Sequence, residues 1–354
     1  MRVRLSHRSA THAHVVVAHL AAVGCPASTR PRITDAPIRG TFIPARWTTP
    51  AASQECYEPA HWDAVRNGLS DLYPHVAREH PTGRWGRYHN ALAFLSSYPI
   101  KGQSFQMFSR TPFLEAVLGT KGALTALIEL PPPISATVAF VNVHLTAGGL
   151  LDPADDTVDA DRAQQILETD AISAAAMARA PHNHNRSQHA DAPTSPWANA
   201  TAVARVILGD INAGPAASRG NWMLARELGY RDAWLEYAES AGAAVATEDD
   251  ENSDNYFLED GEAAPARAPT SGEHLREGET WDPYNPLNAR GPHRHAPPDR
   301  IDHVFLKSGT ALDAWRVEKA ETMFQAPIVP TSEGNVTISD HYGLVVSLRW
   351  QAPA

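Results

Sequence analysis

The chain has 354 residues, 43% of them hydrophobic, with a formal net charge of −10. That is enough for one large or two ordinary domains with a real core, and the acidic balance argues against a surface built to lie along nucleic-acid phosphate. Two cysteines, Cys25 and Cys56, exclude a disulfide framework and leave at most one bridge, and no apolar run reaches the ~18 residues expected of a membrane-spanning helix.

The first segment carries Arg2, Arg4 and Arg8, followed by the apolar HVVVAHLAAVGCPAS from His14. Positive residues, a short apolar run and then small residues are the outline of a secretory signal over residues 14–28, which His19 interrupts. An ordinary amphipathic or unstructured leader reads equally well. A soluble chain is expected, cytoplasmic or secreted, and the compartment stays open.

From Glu55 onward strand-like and helix-like segments alternate. ALAFLSSYPI (91–100) reads as a strand running into a turn at Tyr98-Pro99, and KGALTALIEL (121–130) and ATVAFVNVHL (136–145) read as neighbouring strands split by three prolines. DRAQQILETDAISAAAMARA (161–180) has helical spacing in Ile166, Leu167, Ile172 and Met177. Then VILGDINAGP (206–215) begins as a buried β-branched strand and breaks at Gly and Pro. A helix near Asn221–Leu228, the segment YRDAWLEYAES from Tyr230, and the strands RIDHVFLKSG (300–309) and YGLVVSLRW (342–350) complete the order. Interleaved elements of this kind imply a layered α/β or α+β domain.

Two stretches read as insertions, at about 181–200 and 242–298. The second opens with the acidic run TEDDENSDNYFLEDGE, which lacks the glycine and spacing of an EF-hand and reads as solvated chain. His293 and His295 in GPHRHAPP read as surface chain, since no Cys or further His stands close in sequence.

Polar residues gather where the apolar runs end. Asn142 and His144 share one face of VNVHL, and a period of two puts Asp210 and Asn212 on one side of LGDIN. Glu55 follows Gln54 in SQECYEP, Asp302 alternates with apolar residues in RIDHVFLK, and Asp340 and His341 precede the final apolar strand. Each has an ordinary reading alone: a turn cap, a core histidine, a surface acid. Joint appearance at successive strand ends favours a common site.

In that order, Gln-Glu, Asn-x-His-Leu, Gly-Asp-x-Asn, Arg-Ile-Asp and Ser-Asp-His resemble the endonuclease/exonuclease/phosphatase superfamily. KGAL, RAQQ, RDAWLE and TWDPYNPLN are similar to strings of its neutral sphingomyelinase-type phospholipase C branch. The resemblance implies an α/β four-layer sandwich, two packed mixed sheets flanked by helices, over residues 52–350. It also implies hydrolysis of a phosphodiester with Mg²⁺, or another divalent cation such as Mn²⁺. Glu55 and Asp340 would serve the metal, His341 would be the general base and Asp302 would orient it. Asp210 and His144 complete the catalytic set, with Asn212 and Asn142 on the substrate side, Asn142 there to brace His144 more than to touch substrate. An imidazole with a usual pKa of about 6.5 suits the base role, and a hard cation suits carboxylate and amide oxygens.

The substrate so implied is a sphingolipid or phospholipid at a membrane surface. A nuclease of the same fold ranks lower, because no cluster of Lys and Arg interleaved with aromatics appears. The superfamily pattern also opens with a strand ending in Asn-x-Asn, and the first fifty residues contain no Asn. Residues 1–51 are therefore expected to be an aberrant or disordered leader, through replacement or a shifted gene start, with the first strand missing or aberrant. Weakened metal binding, reduced stability and a catalytically impaired phosphate- or lipid-binding protein would follow.

Overall fold

The computed structural model describes residues 12–19, 50–54, 59–78, 91–131, 134, 136–148, 156–179, 202–216, 218–242, 278–289, 296–307, 314–327, 329–331 and 334–351. Glu55, Cys25, Cys56, the acidic run, His293 and His295 lie outside them, as does most of each expected insertion.

The strands are β1 (His12–His19), β2 (Ala51–Gln54), β3 (His75–Arg78), β4 (Ala93–Ser96), β5 (Ile100–Met107), β6 (Gly122–Glu129) and β7 (Thr137–His144). Then come β8 (Ala202–Asp210), β9 (Tyr230–Asp232), β10 (Asp302–Lys307), β11 (Trp315–Met323), β12 (Val329–Thr331), β13 (Gly334–Val336) and β14 (Gly343–Trp350). The helices are α1 (Pro59–Leu69), α2 (Phe113–Leu118), α3 (Asp156–Arg179), α4 (Arg219–Glu227) and α5 (Ala233–Ser240). One six-stranded sheet runs β11-β14-β1-β2-β4-β3 and the other β5-β6-β7-β8-β10-β9, with β12 and β13 a separate ribbon.

Apolar residues on both faces of the central strands dictate the layering. In β8, Val206 and Leu208 join Phe140, Phe94 and Leu344 in the core between the sheets, while Ile207 packs outward with Ile166 and Trp222. β14 repeats the pattern, Leu344, Val346 and Leu348 facing inward and Val345 packing outward with Trp62 and Tyr73. A strand covered on both sides must read as a continuous apolar run, as VIL and GLVVSL do. Each fully buried Leu or Phe contributes on the order of 1.5–3 kcal/mol. Helices α3 and α4 cover one outer face and α1 the other, which gives the expected four-layer sandwich.

The expectation of a missing first strand is corrected. β1 pairs antiparallel with β14, Val15 opposite Val346, and parallel with β2, His19 opposite Gln54. A run of three valines has the β-branched character a central strand demands, so it outweighs the leader-like outline. What departs from the superfamily pattern is how the strand ends: at His19, with no Asn.

Candidate active site

Strand pairing alone assembles the first part of the site. His144 ends β7 and stands opposite Asp210 in the parallel β7/β8 pair. Asp210 ends β8 and stands opposite Asp302 in the antiparallel β8/β10 pair. Three side chains thus form one row across adjacent strands, spaced by about 4.8 Å. All three are buried, and His144 Nε2 lies 3.6 Å from Asp210 Oδ2.

The other sheet completes the row. His341 stands two residues before β14, and its Nδ1 lies 2.8 Å from Asp302 Oδ2. An ionised carboxylate only accepts, so Nδ1 carries the hydrogen and Nε2 is the nitrogen that can exchange a proton. Burial alone would lower the His341 pKa. The charge and hydrogen bond of Asp302, with the charges of Asp340 and Asp210, outweigh it and push the pKa up to about 10.

The motif at the end of β8 is both a turn cap and part of the site. Gly209 has φ +123°, and a Cβ there would lie 2.1 Å from the Val143 carbonyl oxygen, so only glycine lets β8 pass β7 at this point. The Asn212 backbone N–H donates to Asp210 Oδ1 at 2.7 Å, and Asn212 Nδ2 donates to Asp210 Oδ2 at 3.2 Å. Asn212 has φ +50°, so it returns to Asp210 through a turn and not through the strand alternation that the sequence suggested. Its Nδ2 also donates to the Leu145 carbonyl at 3.0 Å, next to His144.

Asn142 is held between the two sheets. It is fully buried, accepts from Gln54 Nε2 at 2.6 Å, and donates to the Ser53 and Ala93 carbonyls. Those bonds stitch the two sheets together beneath the site, so Asn142 supports the row from below and does not face a substrate. Asp340 lies in the turn before His341, its Oδ1 receiving the Ser339 hydroxyl at 3.2 Å.

The donors around the row suit a hard divalent cation. Asp210, Asp302 and Asp340 offer carboxylate oxygens, and Gln54 Oε1 is buried with no hydrogen-bond partner among the described residues. Gln54 ends β2, immediately before Glu55. Among the described residues no group of three or more His, Cys, Asp or Glu stands ready to hold a metal ion.

Sequence reasoning gave no role to the residues that brace this row. The loop after His144 is clamped by Lys121 Nζ on the Leu145 carbonyl at 2.9 Å and Arg162 Nε on the Thr146 carbonyl at 2.8 Å. Gln165 Oε1 accepts from Thr146 N–H at 2.9 Å, and Glu115 Oε1 accepts from Gly148 N–H at 2.9 Å. Beneath the turn after Asn212, Asp232 Oδ2 accepts from Arg300 Nη2 at 2.9 Å and Trp222 Nε1 at 3.0 Å, with His303 Nδ1 at 3.2 Å. Burial would raise the Asp232 pKa, but the Arg300 charge and these hydrogen bonds hold it far below the usual carboxylate range. RAQQ, RDAW and RID were visible as strings, and a buried charge inside each was the signal.

The profile of the Endonuclease/Exonuclease/phosphatase family matches residues 45–341. Sphingomyelinase C from Streptomyces griseocarneus is similar in structure at 16% identity and a TM-score of 0.54, over 95% of this chain and 99% of that one. A beta toxin variant from Staphylococcus aureus with bound magnesium ions is similar at 14% identity and a TM-score of 0.56, over 96% and 99%. SmcL is similar at 14% identity and a TM-score of 0.53, over 96% and 99%. No curated protein matches this chain in sequence. At such identities the likeness is one of fold.

Proposed function

The chain belongs to the Endonuclease/Exonuclease/phosphatase family, and on that premise we propose that it is a divalent-metal-dependent phosphodiester hydrolase acting on a sphingolipid or phospholipid at a membrane surface. The observation that carries this reading is the His341–Asp302 pair, joined across the two sheets to the His144–Asp210 row. The net charge of −10 and the want of a Lys and Arg cluster in the sequence support a lipid substrate over nucleic acid.

His341 Nε2 takes the proton of the attacking water while Asp302 holds Nδ1 and fixes the ring. Asp210 and Asn212 position the water and the phosphate, and His144 donates to a phosphoryl oxygen as charge builds there. The bond from phosphorus to the leaving oxygen breaks as the bond to the water oxygen forms. Glu55 and Asp340 would hold Mg²⁺, or Mn²⁺ in its place, which when bound supplies positive charge against the non-bridging oxygens and opposes protonation of His341.

A second reading has one observation behind it. β1 ends in His19, in register with Gln54, and the first fifty residues contain no Asn. A protein whose metal site is weakened there would bind a phosphate-bearing lipid without turning it over. Labelled sphingomyelin and supercoiled plasmid, each incubated with Mg²⁺ and with chelator, separate the readings. Metal-dependent cleavage of the lipid at its phosphate is expected. Nicking of the plasmid alone would replace the lipid with nucleic acid, and lipid binding without cleavage would favour the second reading.

A further inference from the structure

The dyad consists of two residues that strand pairing does not bring together. Asp302 opens β10 in one sheet, while His341 lies in a turn before β14 in the other. The segment from Gly278 to Ala289 bridges them. Its Trp281 makes isolated antiparallel bridges both to Asp299, three residues before Asp302, and to His341 itself.

Thr280 is fully buried and holds both sides. Its hydroxyl oxygen accepts from the backbone N–H of Ile301 at 3.2 Å and of Asp302 at 3.0 Å. Its carbonyl oxygen accepts from the Tyr342 N–H at 2.6 Å. One residue therefore fixes the peptide that carries Asp302 and the peptide that follows His341.

Two asparagines hold the turn from its other side. Asn285, also fully buried, donates through Nδ2 to the Ser339 carbonyl at 2.9 Å and the Asp340 carbonyl at 3.1 Å. Its Oδ1 accepts from Leu287 N–H at 3.0 Å and lies 2.7 Å from the Thr337 hydroxyl. All four of its hydrogen-bonding capacities are engaged. Asn288 Nδ2 adds a bond to the Asp340 carbonyl at 2.8 Å and ties back to its own segment at the Asp282 carbonyl at 2.9 Å.

We propose that Thr280 and Asn285 are positioning residues for the reaction, setting the orientation of the His341 ring against Asp302 through hydrogen bonds to the backbone on either side of each. The bonds fall on the peptides at Ser339, Asp340 and Tyr342, which are those that decide where the His341 Cα–Cβ bond points. The turn through Ser339 and Asp340 lies outside the paired strands, and within it the Ser339 hydroxyl accepts from the His341 N–H at 3.1 Å, so the segment holding the Ser339 and Asp340 carbonyls frames it from outside. Misplacing a reacting group by about 1 Å can cost on the order of 10²-fold in rate. The inference rests on the reading of His341 as a catalytic base.

Thr280→Val keeps the volume and removes the acceptor, Thr280→Ser keeps the hydroxyl, and Asn285→Ala removes both donors. With Mg²⁺ and a lipid phosphodiester, Thr280→Val and Asn285→Ala are expected to lower kcat by roughly 10- to 100-fold while KM stays within about 3-fold. Thr280→Ser is expected to restore most of kcat. Amide hydrogen exchange at His341 and Tyr342 should quicken in the first two variants and stay near wild type in the third, while exchange in β7 and β8 is unchanged. Unaltered kcat in both Thr280→Val and Asn285→Ala would overturn the proposal, and so would a loss of protection spread over both sheets. If the wild-type chain hydrolyses nothing, the reading of His341 as a base fails. The exchange result then decides the positioning claim alone, and unchanged protection at His341 and Tyr342 refutes it.

Discussion

The two sheets place their functional side chains by different means. In the β5–β10 sheet, His144, Asp210 and Asp302 are set by register, each opposite the next across paired strands. The other sheet supplies His341 from a turn, and its position depends on hydrogen bonds from a distant loop. A register-set residue can move only if a strand slips, which would also turn its apolar neighbours out of the core. A turn-set residue has no such protection, so its bracing must be built from buried polar side chains. The row should therefore tolerate loss of its neighbours' polar contacts better than the dyad does.

Substitutions can break each half of that comparison. The largest effects are expected at the reacting groups: His341→Ala and Asp210→Asn should each lower turnover by about 10²–10⁴ with the circular dichroism spectrum unchanged. Turnover surviving both substitutions would remove the site from this position.

Next in size is the buried charge beneath the row. Asp232→Ala would leave Arg300 buried without its carboxylate partner and is expected to cost about 3–5 kcal/mol in denaturant unfolding. A loss below about 1 kcal/mol would show the Asp232–Arg300 pair to be replaceable packing.

Gly209→Ala tests the register directly, because its Cβ would lie 2.1 Å from the Val143 carbonyl at a φ of +123°. Backbone strain of this kind costs about 1–3 kcal/mol, and turnover should fall with it as Asp210 shifts. A variant with wild-type stability would mean that the β7/β8 approach is looser than the structure has it.

A further expectation, read in stability and not in turnover, is a slope with pH. His341 has a folded pKa raised from 6.5 to about 10, so its contribution to stability is complete below pH 6.5 and is lost as pH rises toward 10. Without metal, the unfolding midpoint should fall between those values, and it should fall less in His341→Ala. Equal slopes in the two proteins would show that the Asp302 contact contributes nothing to folding.

The same contrast decides what could be read from the sequence. The row was legible because each of its members ends an apolar strand, and VNVH, LGD and RIDHVF mark the boundary between core and mouth. The layered α/β character followed from the same apolar runs, and the four-layer sandwich from the family resemblance. Strands β5 and β11 were not legible: IKGQSFQM and WRVEKAETM are polar because each lies at a sheet edge, where one side meets solvent. β1 was not legible because arginines, a valine run and then small residues have the outline of a leader interrupted at His19, and only pairing with β14 and β2 marks it as a strand. Thr280 and Asn285 were hidden for another reason. Polar residues near proline and glycine ordinarily form turns, and nothing local distinguishes a turn former from a buried brace.

A double-substitution cycle on His341 and Asp302 tests the central claim most directly. If the two act as one unit across the sheets, His341→Ala, Asp302→Asn and the double variant should have kcat/KM values within about tenfold of one another, all far below wild type. Losses that multiply, or a wild-type rate that does not depend on Mg²⁺, would contradict the account.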